Sequence, residues 1–245
     1  MDVVFFCLVA AGLSGGFVNG FAGFGTALFA LGWVLQVMPP QEAVAVILVC
    51  SLFVGIPGLW HIRRSIFPRR VLRFLLPAFP GLALGFVVLD RVDATTLTVL
   101  IGVIMLIYGI YFLAGRTLPA ITGNWFKVEM GIGFLGGVLG VLGGLSGALP
   151  SMWVALRSWS KAEQRGVLQP YNMTVLALAT VLVGVGGGFN AQVIAGLIVA
   201  LPTSVVGAVI GLWLFRRTSD KSYRRLLIIL MLLSGVSLLI RPLIG

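Results

Sequence analysis

The chain has 245 residues, 59% of them hydrophobic and only 10% charged, with a mean hydropathy of +1.11. That composition excludes a soluble domain and reads as a polytopic membrane protein. The net charge of +10 would suit a nucleic-acid binder, but basic connections between spans account for it through the positive-inside rule. No nucleic-acid partner is expected.

The chain starts Met1-Asp2-Val3 with no cationic segment, so no signal peptide is expected. The first apolar block, 3–37, would be ~50 Å long as a single helix, against a hydrocarbon core of ~30 Å. Its centre carries Gly12-Leu13-Ser14-Gly15-Gly16-Phe17-Val18-Asn19-Gly20-Phe21-Ala22-Gly23-Phe24-Gly25-Thr26. Blocks 43–60, 72–89 and 96–114 then fit single spans. Block 128–156 is overlong again, and at its centre stands Gly136-Gly137-Val138-Leu139-Gly140-Val141-Leu142-Gly143-Gly144-Leu145-Ser146-Gly147. Blocks 167–186, 191–215 and 226–240 are single spans, the last one short. The two overlong blocks are predicted to be helical hairpins of two half-helices of about 13–15 residues each, turning inside the membrane. Cys7 and Cys50 lie in apolar segments and read as small core residues, with neither disulfide nor metal implied.

The basic residues test the hairpins. The connection 61–73 holds Arg63, Arg64, Arg69, Arg70 and Arg73; Arg116 and Lys127 follow the fourth block; Arg157, Lys161 and Arg165 follow the fifth; Arg216, Arg217, Lys221, Arg224 and Arg225 follow the seventh. If these connections are cytoplasmic, fifteen of the seventeen basic residues lie inside, leaving Arg91 and Arg241 outside. Eight plain spans cannot achieve this; a fifth block that returns to its own side can. By repeat symmetry the first block does the same, and both termini lie outside.

The expected fold is therefore an all-α polytopic membrane protein of two inverted repeats, each a broken, re-entrant helical hairpin plus three spanning helices. The repeats cover 1–122 and 123–245. Residues 104–113 align with 230–239, and Pro77, Gly81 and Gly85 match Pro202, Gly207 and Gly211. Interrupted apolar segments at matching places in two halves are the sequence pointer to a transporter's binding site.

A half-helix that starts inside the membrane has amides without intrahelical partners and a positive dipole end, both of which favour an anion. The candidate starts are 23–26 and 143–147. Thr26 and Ser146 add hydroxyl donors, and Asn19 an amide. In block six, Gln169, Tyr171, Asn172 and Thr174 surround Pro170, whereas block two offers chiefly Ser51. The candidate substrate-binding set is Asn19, Gly20, Gly23, Gly25, Thr26, Gly143, Gly144, Ser146, Gly147, Gln169 and Asn172. Helix packing is the competing reading for Gly12, Gly16 and Gly20 and for Gly136, Gly140 and Gly144, all spaced by four. Interhelical hydrogen bonding competes for Gln169 and Asn172, and interfacial anchoring for Tyr171.

The patterns Gly20-x-x-Gly23-x-Gly25 and Gly140-x-x-Gly143-Gly144-x-x-Gly147-x-x-Pro150, with the chain's size, segment order and basic loops, resemble the TauE/SafE family of bacterial anion exporters. The first copy departs from it at Phe24, Thr26 and Ala27, where the family is richer in glycine, and has Ala30 where the second copy has Pro150. The resemblance implies a multi-pass protein of the bacterial inner membrane that exports sulfite or an organosulfonate by alternating access. Its partners would be that small anion and the lipid bilayer, and a homodimer is compatible with it.

All seven acids lie at segment ends or in connections, so export is expected without a mid-membrane carboxylate as proton relay. Gly144-Leu145-Ser146-Gly147 matches the surroundings of an intramembrane serine nucleophile, but the lone histidine, His61, stands in the other half. The chain is therefore read as no enzyme. Metal, nucleotide and redox motifs are absent from the sequence, and no cofactor is implied. A passive anion channel is the alternative to a carrier.

Overall fold

A computed structural model describes residues 2–88 and 121–244, with residues 99, 102, 103, 106, 107 and 110 between them. Most of the expected span 96–114, together with Arg91 and Arg116, lies outside the described residues. Nine α-helices are bounded among those described: α1 Asp2–Ala22, α2 Thr26–Val34, α3 Pro40–Ile62, α4 Pro68–Val88, α5 Phe126–Gly143, α6 Ala148–Leu156, α7 Lys161–Val185, α8 Ala191–Arg217 and α9 Asp220–Ile244. Five of them (α1, α3, α4, α7 and α8) are long and apolar enough to cross a membrane.

The helices outrun the apolar blocks because their first turns are polar and capped. Ser160 Oγ accepts from the Glu163 amide at 3.3 Å, and Glu163 Oε2 accepts from the Ser160 amide at 3.0 Å. Asn190 Oδ1 accepts from the Val193 amide, and Pro40 opens α3. One expectation is corrected here: Lys161 and Arg165 belong to α7 and not to a connection.

The two overlong blocks are each broken once, and unequally. α1 has 21 residues and α2 has 9; α5 has 18 and α6 has 9. The expected equal half-helices are not formed, because the earlier glycines stay helical and serve packing. A Cβ on Gly12, Gly16 or Gly20 would overlap Thr203 Oγ1 or the Ser204 and Ala208 carbonyls of α8. In the second half the equivalent contacts come from Gly133 and Gly137, against the Phe74 and Ala78 carbonyls of α4. Each long helix thus packs on a partner from the other half, at small-residue seams typical of membrane helices. Gly136 and Gly140 do not share this role; they face Tyr171, Val175 and Ser146.

Each short helix folds back along its long one. Phe6 and Trp33 stack edge to face at 6.0 Å, and a Cβ on Gly15 would meet the Ala30 methyl at 2.8 Å. Trp125 and Trp153 do likewise at 6.2 Å, and Arg157 reaches Glu129 at 3.9 Å. The basic connections converge on one end of the bundle. There Arg70 pairs with Glu163 at 2.9 Å, Arg73 with Glu129 at 3.2 Å, and Lys161 Nζ donates to the Phe215 and Thr218 carbonyls. Arg63, Arg70 and Arg217 stack on Trp60, Trp159 and Trp213 at the same end, as in an interfacial aromatic belt. Cys7 and Cys50 are buried and free.

Candidate functional site

Gly23 and Gly144 follow the two long helices with φ of +86° and +67°, the left-handed region that a side chain enters only under strain. Short connections lead from them into α2 and α6. The two breaks touch: a Cβ on Gly144 would lie 3.2 Å from the Ala27 methyl, and one on Gly147 would lie 2.7 Å from Phe24 Cβ. Phe24, Thr26, Ala27, Leu145, Ser146 and Ala148 are all buried, so the breaks close on each other in this conformation.

Two hydrogen-bonded pairs flank the contact. Asn19 Nδ2 donates to Thr26 Oγ1 at 2.8 Å and to the Ser51 carbonyl at 3.4 Å. Ser146 Oγ donates to Asn172 Oδ1 at 2.5 Å. Ser51 and Asn172 stand at mid-length of the 23-residue α3 and the 25-residue α7. A polar girdle therefore crosses the middle of an apolar bundle, with its donors and acceptors mostly satisfying one another. Asn19 Oδ1 is buried without a hydrogen-bond partner.

The helix ends at this place are not electrostatically equal. The carbonyl end of α1 is covered by Arg165, whose Nη1 donates to the Phe21 carbonyl at 3.1 Å, and by the Tyr223 hydroxyl at 3.4 Å from the Ala22 carbonyl. The end of α5 is closed by the Gly144 and Leu145 amides, which donate to the Gly140 and Leu139 carbonyls. Neither α2 nor α6 has a side-chain N-cap, a lack they share with α3 and α5, whereas α7 and α8 are capped. The amide ends of the two short helices, Thr26 and Ala148, thus lie where the breaks meet.

The structure divides the candidate residues into groups. Asn19, Thr26, Ser146 and Asn172 form the girdle, while Gly23, Gly25, Gly144 and Gly147 form the breaks. Gly143 ends α5. Gly20 lies in the α1–α8 seam, and the packing reading describes its environment. Gln169 stands nearer the basic end, where Nε2 donates to the Gly55 carbonyl at 2.6 Å and Oε1 accepts from Arg165 Nε at 2.8 Å. Tyr171 is no interfacial anchor: it is fully buried, and its hydroxyl donates to the Gly133 carbonyl at 3.0 Å. Thr174 donates to its own helix, at the Pro170 carbonyl. The residue that sequence reasoning missed is Arg165, buried beside Gly23. Its signal was there: Ser160-Lys161-Ala162-Glu163 is a capping box that starts the helix early, and Arg165 stands four residues before Gln169.

Ser146 donates to an amide oxygen, which is no general base, and His61 Nδ1 lies at the basic end, 3.1 Å from Arg216 Nη2. The model of the sulfite exporter TauE/SafE family matches residues 8–238, taking in both breaks and the girdle. The chain belongs to the TauE/SafE sulfite exporter family. Comparison with curated proteins and with solved structures gave no match. As a TauE/SafE protein it is a multi-pass membrane protein of a transporter family, which agrees with the reading against catalysis.

Proposed function

We propose that this TauE/SafE protein carries a small anion, sulfite or an organosulfonate, outward across the bacterial inner membrane by alternating access. The observation that carries this reading is the contact between two uncapped nine-residue helices, flanked by amide–hydroxyl pairs at mid-length of α3 and α7. The breaks act as tips of re-entrant hairpins that enter from opposite faces, and 1–122 and 123–245 act as inverted repeats with both termini outside. The reciprocal packing of α1 on α8 and α5 on α4 supports the repeat. The basic end would face the cytoplasm.

Magnitudes show why the girdle matters. A charge at bilayer depth costs ~2.5–3.5 kcal/mol on insertion scales and above ~10 in simulations. Two helix ends return about 0.3–2 kcal/mol each. Hydrogen bonds to a charged group add ~1.5–3 kcal/mol each. Four donors (Thr26, Ser146 and the Asn19 and Asn172 amides) therefore close the gap. Without a substrate they pair among themselves, so the closed state leaves few buried donors exposed. An arriving anion exchanges those neutral pairs for charge-assisted ones and loosens the Phe24–Gly147 contact, and rocking of one repeat against the other releases it.

Of the described acids, Asp2 opens α1, and Glu42, Glu129, Glu163 and Asp220 occupy the first turns of their helices. Membrane potential is then the driving force, at ~2.3 kcal/mol per charge per 100 mV. In proteoliposomes, sulfite flux is expected to follow an imposed potassium-diffusion potential and to persist with pH equal on both sides. Flux that needs a pH gradient and ignores voltage would contradict the reading. Single-channel conductance far above carrier turnover would favour a channel instead.

A further inference from the structure

Arg165 is the fifth residue of α7, yet it is 0% exposed. Its Nε and Nη1 reach only the neutral Gln169 Oε1 and Phe21 carbonyl, and its guanidinium lies 4.4 Å from the centroid of the Phe215 ring. Nη2 is buried with no hydrogen-bond partner. Among the described residues no carboxylate neutralises it. Glu163 pairs with Arg70, and Glu129 with Arg73 and Arg157. Glu42 accepts from Asn190, and Asp220 from the Lys161 amide. A buried charge without a counter-charge is strongly unfavourable, so a fold that retains one has to be explained by what the charge does.

Arg165 is one of the residues lining a cavity of about 40 Å³, with Gly20, Phe53, Pro57, Gly58 and Leu212. One water needs only ~10–15 Å³. The space beside Nη2 depends on Gly58, where a Cβ would come within 2.6 Å of that nitrogen and overlap Gln169 Nε2. We propose that Arg165 Nη2 and this cavity form an oxyanion-binding station distinct from the girdle, lying between the basic end and the helix breaks. Gln169 is its positioning residue, accepting from Nε at 2.8 Å. The station rests on the anion-transport reading above and adds a stop on the same path. Its occupant is a free small oxyanion. Because Phe53 and Val209 on its rim are exposed on the outer face of the bundle, a phospholipid phosphate presents the same chemistry and must be separated by the test.

The test is titration of the purified full chain, in lipid-free maltoside, with sulfite and with methanesulfonate, read by calorimetry and by the thermal midpoint. Arg165→Met replaces the buried charge with an apolar chain of similar reach and also removes the donors to the Phe21 carbonyl and Gln169 Oε1, so its own midpoint without ligand is the baseline for its titration. Its Kd for the oxyanion is expected to be at least ~10-fold weaker, as for loss of a charge-assisted hydrogen bond. Gly58→Ala keeps the charge, obstructs the cavity and is expected to weaken binding likewise, which maintains the test should Arg165→Met not fold. Parental Kd values in both variants would overturn the station. So would Arg165-dependent stabilisation that comes from added phospholipid and not from sulfite. Asn172→Leu separates the two proposals. Binding lost there but kept in Arg165→Met sinks the station alone; binding lost in Arg165→Met, with transport intact in Asn172→Leu, sinks the girdle and leaves the station.

Discussion

Asn172→Leu is expected to raise the sulfite concentration for half-maximal export by about 10- to 100-fold, from loss of one or two hydrogen bonds to a charged ligand at ~1.5–3 kcal/mol each. The same change leaves the Ser146 hydroxyl buried without its acceptor at 2.5 Å. Stability should fall by about 1–3 kcal/mol, the cost of an unsatisfied buried donor. Thr180→Ala is the control in the same helix, since its hydroxyl only returns to the Leu176 carbonyl at 2.7 Å. It is expected to leave both quantities unchanged in proteoliposome flux and thermal unfolding. Equal effects of the two substitutions would show that α7 matters here only as a span.

The second large effect concerns the seam between halves. Gly16→Leu is expected to abolish monodisperse, folded protein on size exclusion. Even the first carbon of the new side chain overlaps the Ser204 carbonyl and comes within 2.8 Å of Ser204 Cα. Backbone atoms cannot turn aside as a side chain does, so α1 and α8 must separate along their length. Overpacking of ~1–3 kcal/mol for small insertions grows with each further carbon, against a total stability of about 5–15 kcal/mol. Gly131→Ala, with no neighbour within 4 Å of the added carbon, is expected to be tolerated or slightly stabilising. Normal folding of Gly16→Leu would contradict the packing assigned to α1 and α8.

Membrane character was legible because nearly all of it is written as composition and block length. The position of the breaks was legible in part. Glycine clusters marked the two overlong blocks, but nothing in the sequence distinguishes a glycine that admits a neighbouring helix from one that takes positive φ. Gly16 and Gly23 look alike as letters; one meets Ser204 and the other turns the chain. That difference explains why equal half-helices were expected and helices of 21 and 9 residues are found. Asn19, Thr26, Ser146 and Asn172 could be named individually as polar residues in apolar blocks, whereas their pairing depends on tertiary contacts. Arg165 was misplaced because charge was read as a mark of the connection. The Ser160–Glu163 capping box overrides that reading by starting the helix four residues earlier.

The central claim is that the two breaks meet inside the membrane and hold the anion between them. Its most direct measurement is thiol labelling of Phe24→Cys and Leu145→Cys, with Cys7 and Cys50 replaced by alanine, in vesicles of both orientations. A small charged thiosulfonate is expected to react slowly and to be blocked by methanesulfonate, which does not itself consume the reagent, while a bulky impermeant maleimide should not react from either side. Rapid maleimide labelling of either position from bulk solvent, unaffected by methanesulfonate, would contradict the account.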